Sequence, residues 1–228
     1  IVFGDWSSDV CSSDLKIEIG VRVEMPFEIF NGIDNICNDI KLKRVLDNDE
    51  EVRSFCQDYK GFITKCVYNL SGDKIVSSLD GHIIGTDEDS GKMSNVVNIA
   101  IHHRFNYSNK EKDIYDIVGR INKNGKPIVQ TMGSFLSGEE DDKKFSNEFS
   151  LSDVEFDDVN KHIQQKTLDI IKDFILRMDK VLPGFAQKGN TVYAPSFEMG
   201  WKKMNLDKNL ETNRSEEHTS ELQSPNTI

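Results

Sequence analysis

The chain has 228 residues, with 28 Lys and Arg against 39 Asp and Glu, and a net charge of −11. That length suffices for one ordinary domain with its own core. The acidic balance, with no basic patch interleaved with aromatics, argues against a nucleic-acid or anionic-membrane surface. No run of 18 apolar residues predicts a membrane helix, so a soluble cytoplasmic protein without membrane or nucleic-acid partners is expected.

Both ends read as foreign to the fold. Asp5–Leu15 (DWSSDVCSSDL) and Arg214–Ser224 (RSEEHTSELQS) resemble the translations of opposite strands of one short-read library adapter. Residues 1–15 and 214–228 are therefore set aside as non-native, and 16–213 is taken as an interior piece of a longer protein. The ends are expected to pack poorly, because nothing selected them to fit this core.

In chain order, Lys16–Glu24 alternates strictly, with Ile17, Ile19, Val21 and Val23 on one face, and predicts a half-buried strand closed by Pro26. Phe27–Cys37 reads as a short helix. Extended runs follow at 41–46, 52–58, 62–69, 74–79 and 82–84, separated by turn residues. Gaps this short join antiparallel neighbours, since a parallel crossover needs a dozen or more residues. Val96–Phe105 is a further strand. Ile114, Ile117, Val118 and Ile121 form the stripe of a helix over 109–121, closed by Asn124-Gly125 and Pro127. Ile128–Met132 returns to strand, and Gly133–Asp157 reads as a long polar loop of the kind that covers a site. Val159, Ile163, Ile170, Ile171, Phe174, Ile175, Met178, Val181 and Leu182 mark a helix capped by Asp157 or Asp158 and stopped by Pro183-Gly184. Thr191–Met199 is the last strand. Runs of strands with about three helices predict an α+β fold with a mostly antiparallel sheet.

Cys37, Cys56 and Cys66 form neither a disulfide framework nor a zinc motif, and reduced thiols are expected. Gly133–Gly138 has the glycine spacing of a phosphate loop, but Glu139-Glu140 stand where Lys and Ser/Thr are needed. No GxSxG supports a serine nucleophile. His102-His103 lies at the predicted end of a strand, where one ring could serve as a general base or both be ordinary surface histidines; neighbours on a strand point to opposite faces.

Several segments, in order, resemble one family, the NAD(P)/FAD-dependent dehydrogenases of bacterial type. Ile19–Glu24 resembles its IGVRVE strand, and Val52–Cys56 with Gly61–Ile63 its VRTFC…GxV segment. Pro127–Leu136 resembles its VQRxGDFL run, with Thr131 in place of a basic residue and Ser134 in place of an acidic one. Leu182–Gly184, Phe197–Met199 and Leu210–Thr212 resemble its tail. The resemblance implies the interior, substrate-facing domain of a two-part flavoprotein. Its FAD would be bound chiefly by other segments, with NAD(P) as a further cofactor and a small molecule as substrate. No strand–GxGxxG–helix unit is present, so this piece alone is expected to be inactive. Arg22 and Glu24, on the polar face of the first strand, become candidates to position flavin or substrate; a cross-strand ion pair is the alternative. Gln130 is a third candidate, against an ordinary strand-end polar residue. A non-catalytic binding module is the competing reading of the whole piece.

Overall fold

The computed structural model describes residues 16–36, 39–70, 73–82, 93–106, 121 and 125–199, all within a unit spanning Lys16–Met199. The fold is α+β. Among the described residues the strands are β1 (Lys16–Pro26), β2 (Lys43–Val45), β3 (Glu51–Tyr59), β4 (Phe62–Leu70), β5 (Asp73–His82), β6 (Val96–Asn106), β7 (Ile128–Thr131), β8 (Glu155–Phe156) and β9 (Thr191–Met199). Seven form one sheet in the order β2-β3-β6-β1-β9-β7-β8, and β4 and β5 form a separate hairpin. Every pairing is antiparallel except β7 with β8.

The alternation of β1 decides what each face of the large sheet becomes. Ile17, Ile19, Val21, Val23 and Met25 are all buried. With Val97, Ile99 and Ile101 of β6 they form the main core, shared with the helix Gln165–Val181. That helix contributes Leu168, Ile171, Phe174, Ile175 and Met178, the 3–4 spacing of one stripe. The opposite face of the sheet is polar. The β4–β5 hairpin places β5 near β3, β6 and β9, and the polar groups Glu18, Arg22, Glu24 and His102 are buried rather than solvated.

Local chemistry moved several predicted boundaries. The described residues 27–36 hold no α-helix: a 3-10 turn at Phe27–Phe30 ends at Asn31, and Gly32 follows with φ 89° and its N–H donating to the Asp34 carboxylate. The predicted helix from Val159 is two elements, a 3-10 turn at Val159–Lys161 and the helix α2 at Gln165–Val181. Asp158 caps the turn by accepting from Asn160 N–H, and Gln164 precedes α2 with no side-chain cap. Val159 N–H donates to the Gln130 side-chain Oε1 at 2.6 Å, which anchors the turn to β7. At the other end Val181 is 67% exposed, outside the stripe assigned to it.

Part of the predicted loop is a helix, α1 (Met132–Ser137). Thr131 Oγ1 accepts from Ser134 N–H, and Gly138 at φ 74° ends it, a conformation that favours glycine. Segments 74–79 and 82–84 were expected as separate runs; 73–82 is continuous strand. The helix expected over 109–121 and the terminal stretches 1–15 and 214–228 lie outside the described residues, apart from Ile121, which is helical and buried.

Candidate functional site

Directly opposed residues in an antiparallel ladder share a face, so the registers assemble the site. Glu18, Gly20, Arg22 and Glu24 of β1 stand opposite Arg104, His102, Ala100 and Asn98 of β6. Beyond β6, Glu51, Arg53 and Phe55 of β3 oppose Arg104, His102 and Ala100. On the other side, Ser196 of β9 opposes Gly20. The result is a buried polar stripe across four strands.

Glu18 is its electrostatic centre. Arg53 donates two hydrogen bonds to the carboxylate, at 2.9 and 2.7 Å, and the Arg104 guanidinium lies 3.3 Å away. His102 Nδ1 is 3.3 Å from Glu18 Oε2. Burial alone would raise the Glu18 carboxyl, but His102 and Arg53 outweigh it and bring it down to about 2. Burial pushes the His102 imidazole below its ordinary range, against the pull of Glu18. Beside an ionised, acceptor-only carboxylate, a neutral His102 carries its proton on Nδ1. Its Nε2 then accepts the Ser196 hydroxyl at 2.7 Å. The ring stacks on Phe55, with centroids 5.5 Å apart.

Gly20 makes this contact possible. It lies between His102 and Ser196 in the register, so no side chain intervenes where the two reach over β1. A Cβ on Gly20 would also stand 1.8 Å from the Ile101 carbonyl oxygen. The hydroxyl–imidazole–carboxylate order matches that of a nucleophilic triad. Ser196 is 0% exposed, however, so the set acts as an internal hydrogen-bond relay and not as an open nucleophile.

The three residues singled out in the sequence are all buried, and each ties elements together. Arg22 donates from both terminal nitrogens to the Cys56 carbonyl, at 2.9 and 2.8 Å, and to Asn98 Oδ1 at 3.1 Å. Cys56 sits at the irregularity in β3 with φ 48°, so the guanidinium clamps the carbonyl of a strained residue. Glu24 accepts from Ser150 Oγ, from Ser150 N–H at 3.2 Å, from Asn147 Nδ2 at 3.0 Å and from Tyr193 OH at 3.0 Å. Burial raises its carboxyl, and the Ser150, Tyr193 and Asn147 donors oppose that shift. Gln130 donates to Ser134 Oγ at 3.0 Å and receives Val159 N–H.

Arg22 and Glu24 therefore share a face, but Gln130 does not join them. Gln130 opposes Val192, which opposes Val23, placing Gln130 on the other face of the sheet. His102 and His103 also separate as neighbours on a strand must, though neither is a surface histidine. His103 turns toward α2, 3.0 Å from Thr167 Oγ1 and 3.2 Å from Glu50 Oε2.

Clefts open among the described residues. One, of 490 Å³, lies beside Gln130 and Ser134; the other, of 470 Å³, lies beside Asn147 and Ser150, the residues that hold Glu24. Among the described residues no cluster of three or more His, Cys, Asp or Glu is arranged to hold a metal ion. None makes a dinucleotide cradle either. The glycine-bearing turn at 133–138 belongs to a six-residue helix followed by Glu139, Glu140 and Asp141, whose charge opposes a pyrophosphate. No protein-family model matches the chain, and no curated protein matches it.

Proposed function

We propose that this unit is the substrate-facing domain of a flavin-dependent oxidoreductase, with FAD held chiefly by segments other than those described. The single observation that carries the reading is the buried polar stripe. Glu18, Arg22, Glu24 and His102 are all enclosed on one sheet face. Burying ionisable groups costs several kcal/mol each unless they are paired and hydrogen-bonded, and such groups concentrate where a protein holds or transforms a ligand. The ordered resemblance of segments across 16–213 adds the flavoprotein assignment, a small-molecule substrate and NAD(P) as electron donor. The described residues do not fit the dinucleotide part of FAD, so no chemical step is assigned to them through it. Their role is to fix one wall of the substrate chamber and exclude water. Among the described residues no helix is long and apolar enough to cross a membrane.

A non-catalytic binding module is favoured by a different observation. Arg22 and Gln130 donate hydrogen bonds to groups within the domain and Glu24 accepts them from such groups, as residues that stiffen a scaffold do.

The two readings part in a reconstitution experiment. The 228-residue chain mixed with FAD and passed through a desalting column should lose the flavin. The protein expressed with the segments that flank 16–213 in its gene should emerge yellow and bleach with a reduced nicotinamide. A colourless protein after reconstitution removes the oxidoreductase reading and leaves the binding module.

A further inference from the structure

Both ends of the segment 142–152 are pinned to β7. The Asp141 carboxylate accepts the Thr131 N–H at 2.9 Å and the Thr131 hydroxyl at 2.8 Å, and β8 pairs with β7 from Glu155 onward. Between these anchors the chain forms no helix or strand, and Leu151 is its only buried side chain. A segment with so little apolar burial and no backbone ladder is the kind that opens while the rest of a fold stays closed.

What holds the segment down is concentrated on one residue. Glu24 is wholly buried and accepts from Ser150 Oγ, Ser150 N–H, Asn147 Nδ2 and Tyr193 OH, so three of its four donors belong to the segment. Other ties run from the Ser146 N–H to the Gly189 carbonyl at 2.7 Å and from the Ile63 N–H to Ser150 Oγ at 3.0 Å. The apolar contacts stand apart from the main core: Phe145, Phe149 and Leu151 join Ile63, Val129 and Tyr193 in a cluster of their own. Tyr193 opposes both Arg22 and Val129, which places this cluster on the polar face of the sheet, away from the stripe shared with α2. The segment can therefore lift without emptying the core under α2.

We propose that residues 142–152 are a lid that Glu24 latches, and that the lid lifts from the sheet as a local unit, opening the 470 Å³ cleft onto Glu24 and Tyr193. The cleft runs along the flank of the lid: residues 146–150 line one part of it, and Pro26, Glu28 and Phe62 line another. With the lid down, the carboxyl and the phenol are fully buried. With the lid lifted, both are reached from the cleft, as enclosed groups behind gating loops are. The latch sets the cost of opening, because each donor freed from Glu24 must be satisfied by water instead. The proposal goes beyond the flavin reading and does not rest on it.

Hydrogen exchange of the 228-residue chain at neutral pH, resolved to single amides, tests it through the N–H groups of Ser146, Ser150 and Ile63, each bonded across the lid boundary. They should exchange together, about a hundredfold or more faster than the amides of β1 and β6, and with little response to dilute urea, because local opening exposes little surface. Asn147→Ala removes one donor from the latch at a partly exposed position, so the fold should persist. Exchange at the lid should then rise about tenfold while β1 and β6 stay unchanged. Nitration of Tyr193 by tetranitromethane, mapped by mass spectrometry, should rise with it. The proposal is overturned by lid amides that exchange only with β1 and β6, at the same rate and urea dependence. It is equally overturned by an Asn147→Ala variant whose lid exchange is unchanged, or by a Tyr193 that stays unreactive when lid exchange has risen. None of these readouts depends on whether FAD binds.

Discussion

Replacing Arg22 by Ala separates a structural clamp from a ligand-facing residue. The guanidinium is wholly buried and donates from both terminal nitrogens to the Cys56 carbonyl and from one of them to Asn98 Oδ1. Truncation removes the donor that both acceptors share and opens a void the size of most of an arginine side chain. Breaking a buried charged arrangement in this way costs about 3–5 kcal/mol. For a unit of this size each kcal/mol lowers Tm by about 2–4 °C, so a fall of about 6–20 °C is expected. Arg22→Lys should recover little of it, because one ammonium cannot bridge Cys56 and Asn98 with the geometry of a planar fork. The strained φ of Cys56 gives an internal control. Cys56→Gly relieves a left-handed conformation worth about 1 kcal/mol or more, so adding it to Arg22→Ala should give a smaller loss than Arg22→Ala alone. Urea denaturation monitored by tryptophan-independent far-UV dichroism measures all four proteins. A cost below about 1 kcal/mol for Arg22→Ala, with binding lost instead, would refute the clamp.

Gly20→Ala places a methyl 1.8 Å from the Ile101 carbonyl and between His102 and Ser196. It should destabilise by about 3 kcal/mol or more in the same denaturation assay, because backbone on the adjoining strand cannot move aside as a side chain would. Phe174→Ala empties a buried ring site under α2 and should cost about 3–5 kcal/mol; a cost within 0.5 kcal/mol, the range typical of a surface position, would mean that the helix does not seal this core. Acid titration should show Glu18 directly. Its carboxyl falls from 4.5 to about 2 on folding, so its stabilisation is present above pH 4.5 and is lost as pH falls toward 2. The shift corresponds to about 3 kcal/mol, and Glu18→Gln should flatten the stability profile across that window. His102 is also depressed on folding, so it adds a loss that begins as pH falls below 6.5, whereas the raised Glu24 carboxyl works in the opposite sense, lending stability at low pH that is lost as pH rises.

The strict alternation of Lys16–Glu24 made β1 and both faces of the large sheet legible, because a period of two leaves no other way to bury Ile17, Ile19, Val21 and Val23 together. The same period put Arg22 and Glu24 on one face. What it could not give was pairing. Whether His102 meets Glu18, Ser196 or neither depends on the register of β6 and β9 against β1, contacts separated by 84 and 94 residues along the chain. A local pattern holds no information on such long-range registers, so His102 reads from sequence as one of two strand-end histidines and Ser196 as one of many serines. Gln130 is hard to place for the complementary reason. Alone on a four-residue strand, it has too little alternation around it to declare its face, and only the pairing through Val192 to Val23 sets it apart from Arg22 and Glu24. The one local signal that marks the junction is Gly20. A glycine in mid-strand weakens the strand unless something must pass close to it. Here both demands meet at that residue, a close backbone approach from Ile101 and a hydrogen bond crossing overhead from Ser196 to His102. A glycine that interrupts an otherwise perfect alternation is thus a reason to search the flanking strands for two side chains that reach each other over it.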